Sequence, residues 1–169
     1  MKRAIGIAAN PASGKDIRRL VARASVFDNQ EKCSIVARCL VGITAVGNTP
    51  IVYFDDTHRI TRSAIEDANI TATPIESLGT GTARDTTRVA IDMKDLDCGA
   101  VITLGGDGTN RAFVKGWLNA PLIPISTGTN NVFPVIHEAT IVGVAAALIA
   151  SEMVCFEDVA AQQKVIHVR

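Results

Sequence analysis

The sequence predicts an α/β domain built on a doubly wound, mostly parallel β-sheet with helices on both faces. Three observations lead there. Of the 169 residues, 47% are hydrophobic but only 4% aromatic, so aliphatic side chains carry the apolar content, as suits strands buried on both sides. Short β-type runs alternate with helical patterns along the chain, the order that a parallel sheet with crossover helices requires. A continuous apolar run, GAVITL at 99–104, leads straight into a glycine turn, as expected of a central parallel strand.

The first strand is AIGIAAN (4–10), ended by Pro11, with Ser13, Gly14 and Lys15 as a loop before DIRRLVARA (16–24) turns helical. Asp28 and Glu31 form a capping signature. Behind it Ile35, Val36, Cys39, Leu40 and Ile43 make an apolar helical stripe that stops near Gly47. PIVYF (50–54) is the second strand, Thr57 to Asn69 the next helix, and ITATPI (70–75) a third strand. Gly79, Thr80 and Gly81 make a second glycine loop, opening the helix TARDTTRVAIDMKD (82–95). After GAVITL and its turn, NRAFVKGW (110–117) reads as a helix and PLIPI (121–125) as a strand. STGTNN (126–131) is a polar loop, and Glu138 to Met153 an alanine-rich helix. Residues 1–155 therefore read as one α/β domain. Within 156–169, FEDVAAQQ is polar and KVIHV is β-type: either an edge strand or the first strand of a C-terminal β domain.

Composition excludes several functions. Seventeen basic and seventeen acidic residues cancel, and no basic run with interleaved aromatics marks a nucleic-acid surface. The four cysteines, Cys33, Cys39, Cys98 and Cys155, show neither a CxxC pair nor zinc-finger spacing. Reduced, buried thiols are expected, with no metal centre. The apolar start is too short for a signal peptide, and TIVGVAAALIA (140–150) is cut off by Ser151 and Glu152, short of a membrane span. A cytoplasmic protein without membrane association is expected.

The chemistry concentrates at Gly105, Gly106, Asp107, Gly108 and Thr109. Glycines at the tip of a strand let the backbone turn sharply and aim successive N–H groups at an anion, and the next helix adds the positive end of its dipole. Phosphate is the natural guest; a strained structural turn with Asp107 as a solvated cap is the competing reading. Two more loops follow strands at the same sheet edge: Asn10 to Lys15, with an amide, a hydroxyl and a cation, and Thr127 to Asn131, with Thr129 and Asn130 among its polar groups. Familiar alternatives fail on spacing. Lys15 is followed by Asp16, unlike a Walker A loop, and both Gly-x-Gly pairs continue to arginine, Arg84 and Arg111, where a dinucleotide fingerprint needs Gly or Ala. The histidines are isolated and no Gly-x-Ser-x-Gly elbow occurs.

GGDGT, with NPASG upstream and GTNN downstream, resembles the superfamily that unites NAD kinases, diacylglycerol kinases and sphingosine kinases. NPASGKDIRR, LGTGTARDTTR, GGDGTNR and STGTNNVFP together are similar to the acetoin-catabolism protein X family, a relative of the ATP-NAD kinases, over nearly the whole chain. The resemblance implies the Rossmann-like N-terminal domain of a two-domain protein, with part of the acceptor site on a C-terminal β domain. It implies ATP, Mg²⁺ and NAD as ligands and phosphoryl transfer from ATP to a nucleotide acceptor such as NAD. Asp107 would be the general base, and the neighbouring glycines would accommodate phosphates. Asn10, Ser13, Thr109, Thr129 and Asn130 would be nucleotide contacts, with Lys15, Arg84 and Arg88 as further phosphate contacts. A non-catalytic ATP- or NAD-sensing module and a lipid kinase are the alternatives. A domain severed from its second half would expose apolar surface, which favours a homo-oligomer.

Overall fold

The computed structural model describes residues 2–15, 28–76 and 79–166. Its elements alternate as expected: β1 (Ile5–Ala9), α1 (Asn29–Val46), β2 (Ile51–Asp55), α2 (Ile60–Asp67), β3 (Thr73–Glu76), α3 (Ala83–Asp95), β4 (Ala100–Gly105), α4 (Asp107–Gly116), β5 (Leu122–Ser126), α5 (Ala139–Ala150) and the single turn α6 (Phe156–Val159). The helix expected over DIRRLVARA lies outside the described residues. All strand pairs are parallel, in the order β3-β2-β1-β4-β5. Ile7 stands opposite both Tyr53 and Ile102, and Ala9 opposite Leu104. The two central strands, β1 and β4, are buried along their whole length, which is why they read as unbroken apolar runs.

Each face of the sheet has its own core. Ile5, Ile7 and Ile102 pack under α1, α2 and α5, while Val52, Phe54 and Val101 pack under α3 and α4. The stripe read from the sequence, Ile35, Val36, Cys39, Leu40 and Ile43, is the buried face of α1; each of its four aliphatic side chains contributes about 1.5–3 kcal/mol by leaving water. Asp28 caps the helix, accepting from the Glu31 amide at 2.7 Å. α1 and α5 then meet backbone to backbone. A Cβ on Gly143 would land on the Cys39 carbonyl, and one on Gly42 on that of Thr140.

Boundaries shift where side chains intervene. α2 begins at Ile60 because Asp56 accepts from the amides of His58 (2.9 Å) and Ile60 (3.0 Å), and Arg59 turns left-handed at φ 55°. α4 begins at Asp107, three residues before the expected start, so Asp107, Gly108 and Thr109 are its first turn and Gly106 its N-cap. α5 stops at Ala150, short of Met153: the Ser151 hydroxyl donates back to the Ala147 carbonyl at 2.6 Å, and Glu152 has φ 58°. Residues 160–166 carry no regular structure, and Val165 and Ile166 are exposed. An edge strand is therefore not formed among the described residues. Among those residues, too, no helix is long and apolar enough to cross a membrane.

No cysteine is bonded to another. Burial pushes the thiols of Cys39 and Cys98 up to about 12, where they stay protonated. The expectation of buried thiols fails at Cys155, which is exposed past the end of α5, and Cys33 is half-buried.

Candidate functional site

Strand order reverses between β1 and β4, the place where open α/β sheets leave a crevice beyond the strand ends. A cleft of about 700 Å³ opens there. It gathers Asn10, Ser13 and Lys15 after β1, Gly106, Asp107, Gly108 and Thr109 at the start of α4, and Thr129 and Asn130 after β5. Nine residues expected from three separate stretches of sequence thus share one wall-to-wall space.

Two groups fall elsewhere. Gly105 is the buried last residue of β4, where its carbonyl accepts from the Thr127 amide at 3.1 Å. Arg84 and Arg88 do not line the cleft. Arg88 pairs with Asp92 one turn along α3 at 3.0 Å, and Arg84 is exposed. Among the described residues, the arginine that lines the cleft is Arg111, on α4.

The loops are tied to one another by the side chains expected to meet a ligand. Asn10 donates through Nδ2 to the Thr109 hydroxyl at 2.7 Å and accepts from the Ala12 amide at 2.9 Å, joining β1's loop to α4. Ser13 and Thr127 share a hydroxyl hydrogen bond of 2.8 Å, joining the same loop to the end of β5. Asp107 accepts from the backbone amides of Val132 (3.0 Å) and Phe133 (2.9 Å), while Asn131 accepts from the Asp107 amide at 3.3 Å and donates to Ser126 at 2.7 Å. A Cβ on Gly106 would sit 2.6 Å from Asn131 Oδ1 and would push that side chain off the Asp107 amide and Ser126. Gly108 differs: a Cβ would meet nothing within 4 Å, so it borders open space.

What remains to receive a ligand is mostly backbone. A helix leaves its first amides without intrahelical acceptors, and those of Gly108 and Thr109 belong to residues lining the cleft. The Thr129 hydroxyl, also on the lining, is buried with no hydrogen-bond partner. Among the described lining residues two cations, Lys15 and Arg111, face three carboxylates, Asp56, Asp85 and Asp107. Asp85, absent from the sequence expectations, holds the second glycine loop. It accepts from the Thr80 hydroxyl at 2.8 Å and from the Gly81 amide at 2.9 Å.

Burial pushes the Asp56 carboxyl above its ordinary range, against the opposing pull of the His58, Ile60 and Thr61 amides. A raised folded-state value means that the folded chain binds this proton more tightly than the unfolded one. The stabilisation is complete below the unfolded value, about pH 4, and is lost as pH rises through the folded value. The Tm of the wild type relative to Asp56→Asn is therefore expected to fall across that window in a thermal-melt series. A difference that rises with pH would reverse the assignment.

The model of the ATP-NAD kinase N-terminal domain matches residues 5–153. Over 156 residues the chain is 35% identical to acetoin catabolism protein X of Cupriavidus necator. That match covers 87% of this chain and 44% of the relative, so the chain spans less than half of that protein's length. No solved structure gives a significant match. With the five-stranded parallel sheet, the glycine turn at the β4–α4 junction and the family match in agreement, the chain belongs to the ATP-NAD kinase N-terminal domain family.

Proposed function

We propose that the cleft binds ATP and forms the nucleotide half of a phosphotransferase that passes the terminal phosphoryl group to a nucleotide acceptor such as NAD. The observation that carries this reading is the convergence of three glycine- and hydroxyl-rich loops around the first turn of α4. There the free amides and the helix dipole favour a polyanion. Asp107 is the proposed general base: its carboxylate lines the cleft and can take the proton of an acceptor hydroxyl brought within hydrogen-bond reach.

The residues present fit Mg²⁺ carried by the nucleotide. This ion keeps several waters and needs only one or two protein oxygens beside substrate phosphates. The unpartnered Thr129 hydroxyl is the lining oxygen that would hold it beside the phosphates, leaving Asp107 to the proton. When bound, it would neutralise charge on the transferred group. A second reading, a non-catalytic ATP- or NAD-sensing module, is favoured by one observation: the Asp107 carboxylate already serves two backbone amides.

Calorimetric titration of the chain with ATP, NAD and NADP, with and without Mg²⁺, tests binding, and formation of NADP from ATP and NAD tests transfer. Binding without NADP favours the sensing module; no binding by any of the three defeats the proposal. Gly108→Ala gives a sharper test. Its methyl enters open space, so Tm should move little while ATP affinity falls about tenfold or more through lost approach to the amides. An unchanged affinity would place the phosphates elsewhere.

A further inference from the structure

Lys32 stands in the first turns of α1 with its whole side chain buried. Its ammonium donates to the carbonyls of Ser13 (2.8 Å), Asn10 (3.0 Å) and Pro11 (3.2 Å), and to Asn29 Oδ1 at 3.3 Å. Three carbonyls of one short loop thus converge on one cation, and that loop, Asn10 to Lys15, lines the cleft. Lysine is rarely fully buried, because losing water around an ammonium is costly unless hydrogen bonds replace it. The loop carbonyls supply that replacement here.

We propose that Lys32 is a positioning residue for the polyphosphate of the bound nucleotide, setting the shape of the Asn10–Lys15 loop and supplying fixed positive charge behind it. In a trans peptide the C=O and the following N–H point opposite ways. Of the peptides whose carbonyls gather on Lys32, that of Asn10 continues into Pro11 and has no N–H, and that of Pro11 turns its Ala12 N–H onto Asn10 Oδ1 at 2.9 Å, so what the ammonium fixes is the fold of the loop. The charge is shielded from solvent, so salt screens it far less than an exposed lysine. The inference deepens the nucleotide reading and rests on it for the identity of the ligand.

Lys32→Met, which keeps the length of the side chain and removes the charge, tests it in the whole chain. Amides of residues 10–15 are expected to exchange hydrogen about tenfold faster or more, while those of β1 and β4 keep their protection. Affinity should fall in the order of phosphate content, by about tenfold or more for ATP and least for AMP, with Lys32→Arg recovering part of the loss. A purely structural role would lower affinity for ATP and AMP alike, and that result, or unchanged exchange in the loop, overturns the proposal. Should Lys32→Met fail to fold, the unmodified chain decides. Its Lys32 Nζ resonance, read by ¹⁵N-lysine labelling, must shift on adding pyrophosphate, and a resonance that stays put refutes the role. Wild-type chain that ignores ATP, ADP and AMP while Lys32→Met loosens the loop would sink the nucleotide reading alone. The loop-shaping role would then stand.

Discussion

Asp107→Asn is expected to lower phosphoryl transfer at least about a hundredfold, the usual scale for loss of a general base. This residue has a proposed role and an observed one, so the substitution needs a companion. As a base, Asp107 must accept a proton from the acceptor hydroxyl. As a clamp, it accepts from the amides of Val132 and Phe133 and so fixes the strand-to-loop turn after β5 against α4. Asn keeps one acceptor oxygen but turns an NH₂ towards one of those amides, so the clamp weakens as well, at less than the cost of a buried unpaired donor because both amides are exposed. Asn131→Ala isolates the clamp. It removes the side chain that accepts from the Asp107 amide and donates to Ser126, yet leaves the carboxylate in place. Steady-state kinetics should then show Asp107→Asn acting on kcat, and Asn131→Ala acting mainly on the KM for ATP. Equal losses of kcat in the two variants would leave Asp107 as a clamp and remove the base from the mechanism.

The contrast between these two residues shows what a sequence can disclose. The sheet was legible because parallel strands covered on both faces must be continuously apolar, and GAVITL could be little else. The cleft was legible by topology, since loops after β1, β4 and β5 must gather where the strand order reverses. The first turn of α4 was not. Two glycines and an aspartate read locally as a turn, and they become helical because Asn110 bonds back to the Gly106 carbonyl at 3.0 Å and accepts from Thr103 at 2.8 Å. Lys32 was hidden more deeply. A lysine beside Glu31 in the first turn of a helix reads as a solvated charge, and only the loop folded over it makes it a buried one. Arg84 and Arg88 misled for the opposite reason: their position after a glycine loop suggested phosphate, but the helical phase of α3 carries them away from the cleft. Nothing in spacing marked Arg111 instead.

The largest loss of stability is expected at the crossing of α1 and α5, from the smallest possible substitution. By helix propensity alone, Gly143→Ala should stabilise an interior helical position by roughly 1 kcal/mol. The added methyl, however, falls on the backbone carbonyl of Cys39, and the reciprocal contact at Gly42 involves the backbone of Thr140 and Val144. A side chain can rotate out of such an overlap; a helix backbone cannot. The two helices must separate, loosening Val36, Leu40, Ile43, Val142 and Ala146 in the core beneath them. Overpacking of this kind costs typically 1–3 kcal/mol and more where nothing can yield, so a net loss of about 3 kcal/mol, or near 10 °C in Tm, is the expected result. Gly42→Ala should lose a similar amount, and the double variant less than the sum, because helices already forced apart meet no second clash. A thermal melt showing Gly143→Ala at or above the wild-type Tm would mean that the helices do not cross at backbone contact, and the packing of this face of the sheet would have to be redrawn.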